Sequence, residues 1–235
     1  MQVESITHRG FHRANNEDRC LVKVLDNDCA LLAVADGMGG HAAGEVAAEL
    51  AIETFEGYRP RGPDIAADLL DQIEKAQRSI MERCRAVPSY SGMGTTLTVL
   101  FLVGSTAFWA HVGDTRIYHF HEGSLIRITE DHTVAGILLK KGDITREQAR
   151  LHPYGSVLTR CIGCDRHEPD SGAFHLLNGD FVLISSDGLH DLMTDEQIAD
   201  ILSASIPLAE KLGRMLSACL EGGGRDNITA VIAGI

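Results

Sequence analysis

Positive charge is in short supply in this chain. It carries 21 Lys and Arg against 33 Asp and Glu, a formal net charge of −12 at pH 7. No basic patch draws in phosphates over a distance, which argues against a nucleic-acid partner. Long hydrophobic runs are missing too. The most apolar stretch, residues 97–112, is broken by Thr, Gly, Ser and His and is too short and polar to span a bilayer. The opening segment MQVESITHRGFHRANNED has no hydrophobic centre of the kind a signal peptide needs. The expected location is therefore the cytoplasm, without membrane contact.

Linker-like and repetitive segments are also absent. No Pro-rich or Ser-rich tract interrupts the chain, and the loop GYRPRGPD at residues 57–64 is too short to join two domains. The expectation is one domain over residues 1–235, long enough to bury a sizeable core. Of the cysteines Cys20, Cys29, Cys84, Cys161, Cys164 and Cys219, only Cys161 and Cys164 have redox or zinc spacing. A structural zinc site needs more ligands than that pair supplies; His167 and His175 could contribute, but no second closely spaced cysteine pair exists. Reduced thiols that pack as small apolar side chains are the expectation.

What is present is strong periodicity. Ala47, Leu50, Ala51, Thr54, Phe55 and Tyr58 fall on one helical face, as do Ile65, Leu69, Ile73, Ala76, Ile80 and Cys84. Leu208, Leu212, Met215, Leu216 and Cys219 make a third stripe. Thr145 with Gln148 and Thr194 with Gln197 have the spacing of capping boxes at helix starts. Between these segments, TTLTVLFLV, TAFWAHV, TRIYHFH and SLIRIT read as strands divided by turns, and FVLISS and ITAVIAGI add two more. Strands in consecutive runs, with helices grouped before and after, predict an α+β fold with antiparallel sheets.

Acids recur at the ends of these strands. LLAVADG reaches Asp36-Gly37, FWAHVGD ends at Asp114, FVLISSDG at Asp187-Gly188, and Asp226 precedes the last strand; NNED adds Glu17 and Asp18 near the start. A single Asp-Gly is an ordinary turn. Gly179-Asp180 and Gly142-Asp143 read that way, and His119 and His121 read as surface or packing residues on a strand. Several acids converging on one point, however, repel each other unless cations neutralise them. Oxygen-only ligands select hard ions, Mg²⁺ or Mn²⁺. Glycine after Asp36 leaves the main-chain carbonyl open to an ion. The pattern alone leaves turn and ligand equally open.

The order of short motifs goes further. RANNED, VADGMGGHAAGE, GMGTTLTVL, HVGDTRIY, ITEDHT, HPYGSVLTRCIG, ISSDGLHDLMTDEQI and GGRDNITAV follow one another nearly end to end. Together they resemble the protein phosphatase 2C family, the metal-dependent Ser/Thr protein phosphatases, in its compact bacterial form. The resemblance implies a four-layer α/β/β/α sandwich, two antiparallel β-sheets flanked by helices, with a centre of two Mn²⁺ or Mg²⁺ ions between the sheets. It implies that Asp36 bridges both ions, that the Gly37 carbonyl binds one, and that Asp187 and Asp226 complete its shell. Glu17 and Asp18 match residues that bind metal or hold its waters, and Asp114 with Asp187 matches a third metal site. Arg13 matches the phosphate-binding arginine, and residues 132–157 match a flap beside the site.

The implied reaction is hydrolysis of phosphoserine and phosphothreonine by direct attack of a metal-bridging water or hydroxide. The implied partners are phosphorylated proteins, a bacterial Ser/Thr kinase and its substrates among them, met by a monomeric catalytic domain. One departure stands out: eukaryotic members carry a histidine directly after the Asp-Gly, whereas this chain has Met38. His41, three residues on, is the candidate general acid, with water on a metal as the alternative. A phosphatase of the sigma-factor partner-switching type, a catalytically dead binding module and a metal-dependent nuclease are the competing readings. The intact acids oppose the second of these and the acidic charge opposes the third.

Overall fold

The computed structural model describes residues 1–26, 28–39 and 43–235. In chain order the elements are β1 (Gln2–His8), β2 (Asp18–Asp26), β3 (Cys29–Met38), α1 (Ala43–Glu56), α2 (Ile65–Ala86), β4 (Gly94–Thr95), β5 (Leu97–Val103), β6 (Thr106–Val112), β7 (Arg116–His121), β8 (Ser124–Arg127), α3 (Val134–Lys141), α4 (Arg146–Arg150), β9 (Asp170–His175), β10 (Phe181–Ser185), α5 (Asp187–His190), α6 (Asp195–Ser203), α7 (Leu208–Glu221) and β11 (Ile228–Gly234). The strands form two sheets, ordered β1-β11-β10-β7-β8 and β2-β3-β5-β6-β9, with β4 paired to β3. Their pairings are antiparallel.

The strict alternation of side chains along β3 explains the layering. Ala30, Leu32 and Val34 point between the sheets, where they meet Leu100, Ile117, Val182, Ile184 and Val231. Leu31, Ala33 and Ala35 point the other way, into a core shared with Ala47, Ala51 and Phe55 of α1 and Leu69, Ile73 and Ile80 of α2. On the far side, Tyr118, Leu183, Ala230 and Ile232 pack under Leu189, Ile198, Leu212, Met215 and Cys219 of the C-terminal helices. A strand with both faces apolar can only be covered twice, so the predicted α/β/β/α sandwich forms.

The predicted helix signals sit where the helices start. Both capping boxes, Thr145/Gln148 and Thr194/Gln197, are made, and the structure adds a cap not read from the sequence, Asp64, which accepts from the Ala67 amide to open α2. Lys211 is 2% exposed, and its ammonium donates to the carbonyls of Ile201, Leu202 and Ala204 around the end of α6.

Some expectations need correction. β3 does not stop at Asp36 but continues through Met38, with Gly37 opposite Thr95 and Met38 opposite Gly94. Asp180 stands in a turn, its amide donating to Leu177 O, but it is no ordinary solvated turn residue. It is 2% exposed and accepts from the Leu177 amide, with His119 Nε2 and His121 Nδ1 each 2.7 Å from its carboxylate. Those two histidines are thus partners of a buried acid. Cys161 and Cys164 are joined as a disulfide, with Cα atoms 5.4 Å apart, rather than standing as two thiols.

Candidate active site

Asp36 is fixed by its backbone. Its amide donates to Thr96 Oγ1 at 2.9 Å, and its carbonyl accepts from Thr95 Oγ1 and the Thr96 amide, both at 2.9 Å. Asp18 lies directly opposite it in the β2–β3 register. The Asp18 side chain is 1% exposed; Oδ2 accepts from Ser186 Oγ at 2.8 Å, while Oδ1 has no hydrogen-bond partner. Gly37 donates its amide to Glu17 O at 3.2 Å. A Cβ there would sit 2.1 Å from the Gly44 carbonyl oxygen, so only glycine lets α1 come this close to the strand.

Asp187 opens α5, and its Oδ1 is buried without a partner. Asp226 stands just ahead of β11. The two loops are pressed together at Gly188, where a Cβ would lie 2.0 Å from Asn227 O. Asn227 is a residue that motif reading passed over. Its side-chain amide donates to Arg9 O and Asn15 O, and its Oδ1 accepts from the Glu17 amide, which ties the N-terminal loop to β11. Arg13, on that loop, donates to Asp226 Oδ2 at 2.6 Å. Asp114 follows Gly113, whose carbonyl accepts from the His132 amide at 2.7 Å and whose amide donates to His132 Nδ1 at 3.1 Å.

The electrostatics show what this crowding does. Burial pushes the carboxyls of Asp36 and Asp187 well above the ordinary range, and neighbouring acids push them further. For Asp36 those neighbours are Asp18, Asp187, Asp114 and Asp226. Asp18 is raised to about 6 and Asp114 to about 7, again chiefly by burial. Burial also raises Glu17. Its side chain lies toward α1, where Oε2 is 2.7 Å from the place a Cβ on Gly44 would take. The hydrogen bond to Asp226 raises Arg13 in turn.

A second overlooked residue is Asp191, one helical turn beyond Asp187, whose amide donates to Asp187 O at 2.8 Å. Its charge raises both Asp114 and Asp187. The i, i+4 spacing in DGLHD is the signal that places the two acids on one helix face.

Among the described residues, no group of three or more His, Cys, Asp or Glu side chains is drawn tightly enough to enclose an ion as it stands. The donor set nevertheless fits hard divalent cations: it is all oxygen, two of its buried atoms lack partners, and burial together with neighbouring acids raises its carboxyls, a cost that positive charge would relieve. His41 lies outside the described residues.

Asp114 and Asp187 help line a cavity of about 740 Å³ that is also lined by residues of α3, α4, α5 and α6, Arg116, Arg127, Arg146 and Arg150 among its arginines. Asp187 also lines a smaller cavity of about 290 Å³ with Arg150, Asp191, Arg225 and Asp226. Phosphorylated side chains therefore have two approaches with arginines along them.

Comparison with known proteins agrees with this fold. The family described as Protein phosphatase 2C matches residues 11–222. The chain is 33% identical to the protein phosphatase PhpP of Streptococcus pneumoniae over 99% of this chain and 96% of that one. It is 39% identical to the serine/threonine protein phosphatase PstP of Mycobacterium tuberculosis, covering 97% of this chain but only 43% of PstP. The solved catalytic domain of PstP in complex with 2 manganese ions superposes with a TM-score of 0.87 at 37% identity, covering 98% of this chain and 96% of that one. With the family match running over most of its length, the chain belongs to the protein phosphatase 2C family.

Proposed function

We propose that this protein is a metal-dependent phosphoprotein phosphatase that releases phosphate from phosphoserine and phosphothreonine. The observation that carries this reading is the cluster of buried carboxylates with orphaned oxygens at Asp18 and Asp187, beside an arginine on a mobile-length side chain, Arg13. Asp36 and the Gly37 carbonyl, Asp187 and Asp226 would hold two Mn²⁺ or Mg²⁺ ions. Asp18 and Glu17 would support that centre, and Asp114 with Asp187 would take a third ion. The manganese-bearing catalytic domain of PstP supports the choice of metal. When bound, such ions supply positive charge against phosphoryl oxygens and a nucleophile at neutral pH.

The chain's own groups do the rest. Arg13 can turn from Asp226 to grip two phosphoryl oxygens, since its guanidinium is half exposed. Asp18 and Ser186 hold the floor of the site in register. His132 fixes the Gly113-Asp114 turn, and its Nε2 lies 3.1 Å from Asp170 Oδ2. Residues 132–157, which carry α3 and α4, act as a flap over the larger cavity and meet the polypeptide around the phosphorylated residue. His41 is the group nearest in sequence that could protonate the leaving oxygen.

The reading takes residues 1–235 as one catalytic unit that works as a monomer in the cytoplasm against a bacterial Ser/Thr kinase and its substrates. No described helix is long and apolar enough to cross a membrane. The deciding experiment is phosphate release from a phosphothreonine peptide with Mn²⁺ or with EDTA, for wild type and Asp187→Asn. Metal-dependent release that collapses in the variant is the expected result. Folded wild type that releases no phosphate under any condition would overturn the reading.

A further inference from the structure

The disulfide at Cys161–Cys164 brackets Ile162 and Gly163, and that short loop is pinned to the strand segment that holds Asp36. Ile162 donates its amide to Thr95 O at 2.8 Å and accepts from the Thr95 amide at 2.9 Å. Thr95 Oγ1 and the Thr96 amide both donate to Asp36 O. Two hydrogen-bonded steps thus connect the loop to Asp36. The contact has no slack: a Cβ on Gly94 would lie 2.9 Å from Ile162 O and 3.4 Å from Cys161 Sγ. From the other side, Gln77 accepts from the Gly163 amide at 2.5 Å and donates to Cys164 O at 3.0 Å. Cys161 is 2% exposed, whereas Cys164 is half-buried, the more exposed member of the pair.

We infer that Cys161 and Cys164 are a thiol–disulfide exchange site whose redox state sets how firmly the Asp36 segment is held. A C-x-x-C pair with one accessible sulfur is the arrangement that exchanges with external thiols. A dithiol reductant is the co-reactant. Its thiolate attacks Cys164 Sγ, the Cys164–Cys161 bond breaks, and Cys161 leaves as a thiolate that takes up a proton. The reductant's second thiol then attacks the mixed disulfide and releases Cys164 as a thiol. The protein gains two electrons and two protons, and the reductant leaves as a disulfide.

Reduction replaces one covalent bond with two thiols that must stand at van der Waals separation, which widens the loop by about 1.5 Å. Thr95 and Gln77 grip both edges of the loop, so this widening strains the Ile162–Thr95 pair and loosens the hydrogen bonds that Thr95 and Thr96 make to Asp36. Oxidation to the disulfide restores them.

The test uses the metal-free full chain with and without dithiothreitol. Alkylation after denaturation, read by mass, is expected to mark Cys20, Cys29, Cys84 and Cys219 in the untreated protein and Cys161 and Cys164 in addition after reduction. Hydrogen exchange at the amides of Asp36, Thr95 and Thr96 is expected to rise roughly tenfold on reduction and to fall back on reoxidation. The double variant Cys161→Ser, Cys164→Ser is expected to show the faster exchange whatever the reductant. Complete alkylation of all the cysteines without reductant, or equal exchange in the two states, would overturn the inference.

A last arm rests on the phosphatase reading: reduction is expected to lower turnover with Mn²⁺ about threefold. An unchanged rate with changed exchange would overturn the link to catalysis and leave the phosphatase reading standing. The alkylation and exchange readouts need neither metal nor substrate, so their failure is distinct from a failure of that reading.

Discussion

Arg13 Nη2 stands 2.6 Å from Asp226 Oδ2, so an arginine at the mouth of the acidic cluster is held by one of that cluster's own carboxylates. A phosphoryl group entering the site offers the guanidinium more oxygens than Asp226 does. Replacing Arg13 with Ala is expected to lower kcat/KM on a phosphothreonine peptide by about 10²-fold, the scale of losing a charge-stabilising donor. Mn²⁺ affinity measured by calorimetry should stay near wild type. Equal losses in both would show that Arg13 organises the carboxylates instead of the substrate.

On the proposed reading, Asp187 is a direct ligand and Asp191 its support. Outer-shell partners of a metal typically cost 10–100-fold when removed, so Asp191→Asn should lower Mn²⁺ affinity by about 10-fold and Asp187→Asn by more than about 100-fold. Calorimetric titration of the two variants checks the order. An Asp191 variant as damaged as the Asp187 variant would make Asp191 a ligand in its own right.

His111 gives a pH dependence with a definite sign. Burial holds its ring neutral and pushes its pKa down to about 3, with Thr98 Oγ1 at 2.7 Å from Nδ1 and Glu130 O at 3.1 Å from Nε2. In the unfolded chain the ring takes a proton below about 6.5, so its contribution is fully present above that pH and is lost by about 1.4 kcal/mol per unit as pH falls. Asp18 and Asp114, raised to about 6 and about 7, act in the opposite sense. The comparison must therefore be a difference. The stability gap between wild type and His111→Gln in urea should shrink by about 2 kcal/mol from pH 7.5 to pH 5.0.

Two glycines separate close approach from idle flexibility. Gly188→Ala puts a methyl 2.0 Å from Asn227 O and should destabilise by about 1–3 kcal/mol, with loss of metal binding as the two loops part. Gly213, inside α7, has nothing within 4 Å of its missing Cβ. Gly213→Ala should stabilise by about 0.5–1 kcal/mol. Urea midpoints for the pair test both signs.

The layers of the fold were legible because their periodicity is strong: the stripe of Leu69, Ile73, Ala76 and Ile80 is buried along α2. The edges were not. β1 alternates weakly between exposed and half-buried residues, and β9 carries Gly172 against the Trp109 ring. Both are fixed by partner strands rather than by their own propensity. The acids at strand ends could be picked out because each interrupts an apolar run. Asp191 shows itself only through the i, i+4 spacing of DGLHD once a helix is placed there, and Asn227 not at all, because its partners lie in a loop two hundred residues away in sequence. Asp180 misled for the converse reason: its Gly-Asp dipeptide is turn chemistry, while its carboxylate is spent on His119 and His121.

β11 pairs with β1 on one side and β10 on the other, with Gln2 opposite Gly234. Within this chain β1 precedes every other element and its neighbour β11 follows them all, so their pairing is the most distant in sequence. Asp226 and Asn227 precede β11 directly. Without residues 228–234, β1 has no partner in its sheet, and Asp226 and Asn227, which hold the Arg13 loop, lose the strand that fixes them, so the site is completed by the docking of a single strand.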